Sequence, residues 1–310
     1  MRVHQAQPSS EHLHAHLDGD ARHAHTIEGR SQTALSVALG LTLLFAVIEV
    51  VTGFMSNSLA LIADAGHMVT DAAALGLALL AQAIARRPPS ARHSFGFVRA
   101  EALAAFVNSL AMLALVAWIV WQAVQRLLEP VAVQGGIVLV VAGIGACINL
   151  IVAWVLSRDN QSINTRAALV NVMGDLLGSL AAIAAGAIIY VAPGWVRVDP
   201  ILSIFVALLI LRSTSGILRE SYHFLMEGVP SQIDYLLVGA NLKAVKGVLD
   251  VHDLHVWDMS PGHPALIGHL EIASLEQWPA VLDAVRAMLR EKHGIDHVTL
   301  QPEAAGGKSL

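Results

Sequence analysis

The sequence predicts a membrane protein in which an all-α domain of six transmembrane helices precedes a small cytoplasmic α+β domain. Three observations predict this class. The 310 residues are 55% hydrophobic and only 14% charged, whereas soluble domains carry about 25% charged residues. Six apolar segments are each long enough to cross a bilayer, which requires about 20 residues. After Glu227 the sequence becomes acidic, and short runs alternate between apolar and polar residues.

The apolar segments set the predicted organisation of the first domain. Their positions are residues 33–55, 59–85, 98–124, 135–156, 167–191 and 199–220. Arginines concentrate in alternate loops, and the positive-inside rule therefore predicts that both termini are cytoplasmic. The predicted domains are a disordered, His-rich N-terminus (1–30), a transmembrane domain (31–222) and a cytoplasmic domain (228–303).

The last domain has the pattern of a small soluble fold. The predicted elements are helix 231–245, strands 248–258 and 265–273, helix 277–292 and strand 297–303. Strand-like alternation is clearest over Val251–Trp257. An αββαβ order predicts helices that cover one face of a sheet.

Composition also excludes several classes of protein. The net charge of −5 and the absence of a basic stripe argue against nucleic-acid binding. A single cysteine, Cys147, excludes a zinc site built from several thiolates, so a metal site must use His, carboxylate or amide ligands.

Two of the transmembrane segments carry paired polar residues. His67 and Asp71 are four residues apart, as are Asn171 and Asp175, so each pair projects from one face of its helix. A buried charge costs about 3 kcal/mol on insertion scales. If the two helices pack together, one imidazole and three oxygen ligands converge, which suits zinc or a similar divalent ion. Two carboxylates and one divalent cation also sum to zero charge, which lowers the cost of burial. The alternative is that these side chains form hydrogen bonds between helices.

Other polar residues in the segments stand alone. Glu49 fits a proton relay and a structural role equally well. For Asn108 and Asn149 we expect helix-packing hydrogen bonds. Asp64 precedes His67 by three residues and is a candidate hydrogen-bond partner for it.

Three sequence runs resemble the cation diffusion facilitator family, in its bacterial zinc/cadmium/cobalt efflux branch. They are Ser58–Asp71 (SLALIADAGHMVTD), Asn171–Ser179 (NVMGDLLGS) and His252–Trp257 (HDLHVW). The resemblance covers residues 30–303. It implies a homodimer in the bacterial inner membrane, a metallochaperone-like cytoplasmic domain, and exchange of cytoplasmic divalent metal for protons.

The resemblance also assigns residues. It places the transport site at His67, Asp71, Asn171 and Asp175. Zinc-selective members usually have His in place of Asn171, so cobalt, cadmium and nickel join zinc as candidate substrates. In the cytoplasmic domain, His252, His269 and Glu303 match positions that bind regulatory metal. His255 and Asp253 are neighbouring candidates, and His255 fits a hydrogen-bonded surface residue equally well.

Alternative functions remain open at this point. A passive divalent-metal channel would need the same ligands. An intramembrane metal-dependent enzyme would need a pattern such as His-Glu-x-x-His, which is absent. The histidines of residues 1–30 favour a metal-collecting role over an inert tail.

Overall fold

The computed structural model describes residues 40–158 and 163–305, except for the side chains of residues 156, 158, 163–168, 170 and 171. The His-rich segment 1–30, which we predict to be disordered, lies outside the described residues.

Long apolar helices make up the first two thirds of the described chain. They are α1 (Gly40–Ser56), α2 (Leu59–Ala85), α3 (Ala100–Leu128), α4 (Gly135–Arg158), α5 (Ile163–Val191) and α6 (Val198–Leu225). The helices α2 to α6 each contain a stretch long and apolar enough to cross a membrane, and the described part of α1 is a shorter apolar helix. Large apolar side chains such as Leu79, Trp121 and Val140 are more than half exposed. Such exposure is expected where lipid, rather than water, surrounds the protein.

The described chain divides into two compact units. The first comprises residues up to Ala73 together with Met112–Arg212, and the second comprises Ala74–Ala111 together with the residues from Ser213 onward. The core of the first unit includes a cluster around Leu59, Met112 and Ile119 and a second cluster around Leu61, Met68 and Val138. The division cuts through α2, α3 and α6, so it does not test the domain boundaries predicted from the sequence.

Within the first unit, glycines allow α4 and α5 to approach closely. A Cβ atom added to Gly186 would lie 2.6 Å from the backbone nitrogen of Leu139, and one added to Gly135 would lie 2.8 Å from that of Tyr190. A backbone atom cannot rotate away as a side chain can. Small residues are therefore required at this helix–helix contact.

The C-terminal part of the second unit has the predicted αββαβ order. Its elements are α7 (Tyr235–Lys243), β1 (Val248–Ser260), β2 (His263–Ile272), α8 (Trp278–His293) and β3 (His297–Ala304). Strand β2 is central, and it pairs antiparallel with β1 and parallel with β3.

An apolar core holds the helices to one face of this sheet. On α8, Val281, Val285 and Leu289 are four residues apart and buried, and they pack with Leu266 and Leu270 of β2. Alternation along β2 directs His269 to the opposite face, away from this core. The position of the core therefore determines which face presents polar side chains.

The α4–α5 contact leads to a first prediction. Gly186→Ala should lower the free energy of unfolding by about 2 kcal/mol, because the added methyl group overpacks the contact. Gly143→Ala on α4 is the matched control, since a Cβ there meets nothing within 4 Å. That change should be neutral or stabilising by up to about 1 kcal/mol. Thermal unfolding of the purified protein in detergent measures both. Equal melting temperatures for the two variants would contradict the prediction.

Candidate metal sites

The helices α2 and α5 bring three of the predicted transport ligands together. His67 Nδ1 lies 3.6 Å from an Asp71 carboxylate oxygen, and His67 Nε2 lies 3.9 Å from Asp175 Oδ1. One ligand atom from each residue lies within 4.8 Å of the others. His67 and Asp71 share a face of α2 because they are one helical turn apart, and Asp175 faces them from α5.

The hydrogen bonding of this cluster fits a cation. His67 Nδ1, Asp71 Oδ2 and Asp175 Oδ1 are buried and have no hydrogen-bond partner among the side chains and backbone that the structure describes. An unsatisfied buried polar atom costs about 1–3 kcal/mol, and more if it is charged. A divalent ion would coordinate all three residues at once, so the donor set suits a borderline metal such as zinc.

The fourth predicted ligand, Asn171, lies on α5 one turn before Asp175, and its side chain is outside the described residues. Its contribution to the cluster stays a prediction.

Asp64 belongs to a separate hydrogen-bonded chain. It is buried and accepts a hydrogen bond from Ser179 Oγ at 3.1 Å, and Ser179 Oγ in turn accepts one from Asn149 Nδ2 at 3.3 Å. The backbone of Gly178 lies against the Asp64 carboxylate, where a Cβ would not fit. Asn149 thus forms the expected packing hydrogen bond. The hydrogen-bond partner found for Asp64 is Ser179, and not the candidate partner His67.

Sequence reasoning missed a buried carboxyl group on α6 that contacts the first turn of α2. Asp199, in the first turn of α6, is fully buried. It accepts hydrogen bonds from Ser58 Oγ at 2.5 Å, from Leu59 N at 2.7 Å and from Ala60 N at 3.3 Å. These backbone groups belong to the first turn of α2, which has no intrahelical acceptor for them. Asp199 therefore caps α2 from a distant helix.

A guanidinium completes this arrangement. Arg126, near the end of α3, lies 3.9 Å from Asp199 Oδ2 and donates a hydrogen bond to the carbonyl oxygen of Asn57. The ends of α2, α3 and α6 are thus joined by polar contacts within the first unit.

We expect the Asp199 cap to stabilise the fold strongly. Asp199→Ala should lower the free energy of unfolding by about 3 kcal/mol, because it leaves buried donors unpaired. Asp199→Asn retains one acceptor oxygen and should lose less. Glu129→Ala, at an exposed position directly after α3, is the control and should change little. The measurement is denaturant or thermal unfolding in detergent, and an Asp199→Ala variant as stable as the control would refute the role of the cap.

A second cluster lies in the C-terminal part of the second unit. His252 on β1 is directly opposite His269 on β2, and Glu303 on β3 projects from the same face. His269 Nδ1 lies 2.8 Å from Glu303 Oε1, and His252 Nε2 lies 3.2 Å from Glu303 Oε2. A ligand atom from each residue lies within 4.8 Å of the others. The three predicted regulatory ligands are therefore adjacent.

The neighbouring candidates lie beside this cluster. Asp253 sits in an irregularity of β1 with a φ of 48°, a left-handed conformation that is strained for a residue other than glycine. His255 Nε2 lies 3.0 Å from Asp253 Oδ1, and His269 Nε2 lies 3.8 Å from Asp253 Oδ2. Both Asp253 and His255 are more than 60% exposed. They form an exposed pair that is outside the group of three.

Two protein-family models match this chain. A family model described as the cation efflux transmembrane domain matches residues 35–226, and one described as the cation efflux protein, cytoplasmic domain, matches residues 230–305. The chain belongs to the cation efflux family. Members of this family are transporters, so the alternative of an intramembrane enzyme is excluded.

Relatives match over nearly the whole chain. The zinc transporter ZitB of Escherichia coli is 41% identical over 295 residues, which are 94% of this chain and 92% of the relative. A cadmium, cobalt and zinc/H(+)-K(+) antiporter of Bacillus subtilis is 35% identical over 282 residues, which are 89% and 90%. Among solved structures, the metal-bound C-terminal domain of the CzcD transporter from Cupriavidus metallidurans is 33% identical. That match covers 23% of this chain and 99% of the domain, with a TM-score of 0.22.

Proposed function

We propose that this cation efflux protein exports zinc from the cytoplasm in exchange for protons. The observation that carries the proposal is the cluster of His67, Asp71 and Asp175, whose buried ligand atoms lack hydrogen-bond partners within the described residues. The relatives named as a zinc transporter and as a cadmium, cobalt and zinc antiporter support it.

Asn171 is the proposed fourth ligand and broadens the range of metals. Its amide oxygen is a harder and weaker ligand than the imidazole that zinc-selective members usually carry there. Cobalt, cadmium and nickel are therefore further candidate substrates.

Metal ions and protons compete for the same carboxylate and imidazole atoms, and this competition would couple their movements. Two carboxylates that share a buried site do not both stay ionised without a cation, so the empty site binds a proton. His67 can accept another, whereas Asn171 does not titrate. Metal displaces these protons when the site faces the cytoplasm, and protons displace metal when it faces the opposite, more acidic side. A passive channel has the same ligands but shows no obligatory proton flux.

The proposed location is the bacterial inner membrane, with both termini in the cytoplasm. Arginines in the loop between α2 and α3, together with Arg158 at the end of α4 and Arg166 near the start of α5, support this orientation. We assign transport to residues 31–222 and retain residues 1–30 as a cytoplasmic, metal-collecting segment. Residues 228–303 form the proposed cytoplasmic domain.

We assign regulation and dimerisation to the C-terminal domain. Zinc bound by His252, His269 and Glu303 would neutralise charge in an acidic domain and favour the association of two protomers. Asp253 and His255 are proposed as accessory ligands beside that site. The match to the family's cytoplasmic domain over residues 230–305 supports this assignment.

Transport by proteoliposomes tests the proposal. Asp71→Asn should abolish uptake of zinc, cobalt, cadmium and nickel, because it removes a charged ligand that balances the cation. The exposed Asp283→Asn is the matched control and should transport normally. Metal-sensitive and pH-sensitive dyes inside the same vesicles measure both fluxes. Zinc flux that is unaffected by a pH gradient and moves no protons would favour the channel and contradict exchange.

A different variant tests the regulatory site. His269→Ala should reduce the number of zinc ions bound per protomer and weaken dimerisation at low zinc, while transport at saturating zinc persists. His263→Ala is the control, since His263 is on the same strand but outside the cluster. Equilibrium dialysis gives the stoichiometry, and analytical ultracentrifugation in detergent gives the dimer fraction. Unchanged zinc stoichiometry in His269→Ala would rule the site out.

A further inference from the structure

Glu49, on α1, is a buried carboxyl group that the proposed transport site does not use. Its side chain has no exposed surface, and neither of its oxygens has a hydrogen-bond partner in the described part of the chain. A carboxylate in apolar surroundings is very unfavourable without a counter-ion. Within residues 40–158 and 163–305, the ion pairs of Lys, Arg and His do not include Glu49. The side chain is therefore accommodated in a form that does not require a basic partner.

The helices around Glu49 leave room for the carboxyl group and place it in the packed region that holds the metal ligands. On α4, a Cβ added to Gly145 would lie 3.2 Å from Glu49 Oε1, so the glycine provides the space. Ala46, one turn before Glu49 on α1, packs in the same buried cluster as Met68 of α2, which directly follows the proposed ligand His67. Glu49 therefore belongs to the packed part of the bundle that carries the site.

Glu49 is nevertheless not one of the clustered ligands. Among the described residues, the group on α2 and α5 whose ligand atoms lie within 4.8 Å of one another contains His67, Asp71 and Asp175, and it does not contain Glu49. A buried acid that packs in the same part of the bundle but does not coordinate the ion responds to the ion through electrostatics alone.

We propose that Glu49 is a proton-binding residue of the transport cycle that does not coordinate the metal; this rests on the proposed exchange of zinc for protons. When the site is empty, the Glu49 carboxyl holds a proton. When a divalent cation binds from the cytoplasm beside Asp175, its positive charge stabilises the ionised form of Glu49, the O–H bond breaks, and the proton passes to water on the cytoplasmic side. When the metal leaves on the opposite side, Glu49 binds a proton from that side. Each cycle thus moves one additional proton against the metal.

Calorimetry of zinc binding tests this directly. Titrations of the detergent-solubilised full chain in buffers of different ionisation enthalpy give the number of protons released per zinc bound. Glu49→Gln should release up to one proton fewer than the unaltered chain, and Glu49→Asp should retain the release. Glu101→Gln, an exposed glutamate in the first turn of α3, is the control. Equal proton release by Glu49→Gln and the unaltered chain would overturn the proposal.

Infrared difference spectroscopy keeps the test decisive even if Glu49→Gln does not fold. Zinc binding to the unaltered chain should remove a C=O band of a protonated carboxyl group, and the band should shift in Glu49→Asp. A spectrum that lacks this loss, or a lost band that does not respond to Glu49→Asp, would overturn the proposal. If the proposed exchange of zinc for protons were wrong, the unaltered chain would move zinc without protons in vesicles. That result is distinct from the calorimetric and infrared results that test Glu49.

Discussion

The low dielectric of the membrane interior is the constraint on which the arrangement of the first unit depends. Ionised groups there need either a counter-ion or several hydrogen-bond donors. The helices α2 and α5 place Asp71 and Asp175 beside a single imidazole, and no described basic side chain pairs with these two carboxylates apart from His67. In this dry environment the two carboxylates carry more negative charge than the described basic groups balance, which favours the binding of a cation. The same imbalance of charge would attract a metal ion and would bind protons once the metal has left.

Asp199 illustrates the opposite solution. It is as fully buried as Glu49, yet it accepts three hydrogen bonds from the start of α2 and lies near Arg126. The hydrogen-bonding capacity of such a carboxyl group is satisfied by the protein, and the group contributes to the fold. The presence or absence of donors, and not burial, separates the structural acid from the acids that bind cations or protons. Burial alone would have grouped these residues together.

Much of this could be predicted from sequence because the signals are local. The apolar run 59–85 gives α2 its observed bounds, and spacing by four residues places His67 and Asp71 on one face. The order of elements in the C-terminal domain follows from alternation and length. The cap on α2 could not be predicted, because Asp199 is 140 residues away from Leu59. Likewise, nothing in the local pattern pairs Asp64 with Ser179 or gives Asp253 a left-handed backbone. These features depend on how helices pack and on the register of β1 against β2.

The cap also has a mechanical consequence for α2. Hydrogen bonds from Asp199 hold α2 at Leu59, so a tilt of the helix would pivot near that residue. At a rise of 1.5 Å per residue, His67 lies about 12 Å and Asp71 about 18 Å along the helix from Leu59. A tilt of the helix about that end would displace Asp71 half as far again as His67. The coordination sphere would thus deform unevenly, and it would open first at the carboxylate farthest from the pivot.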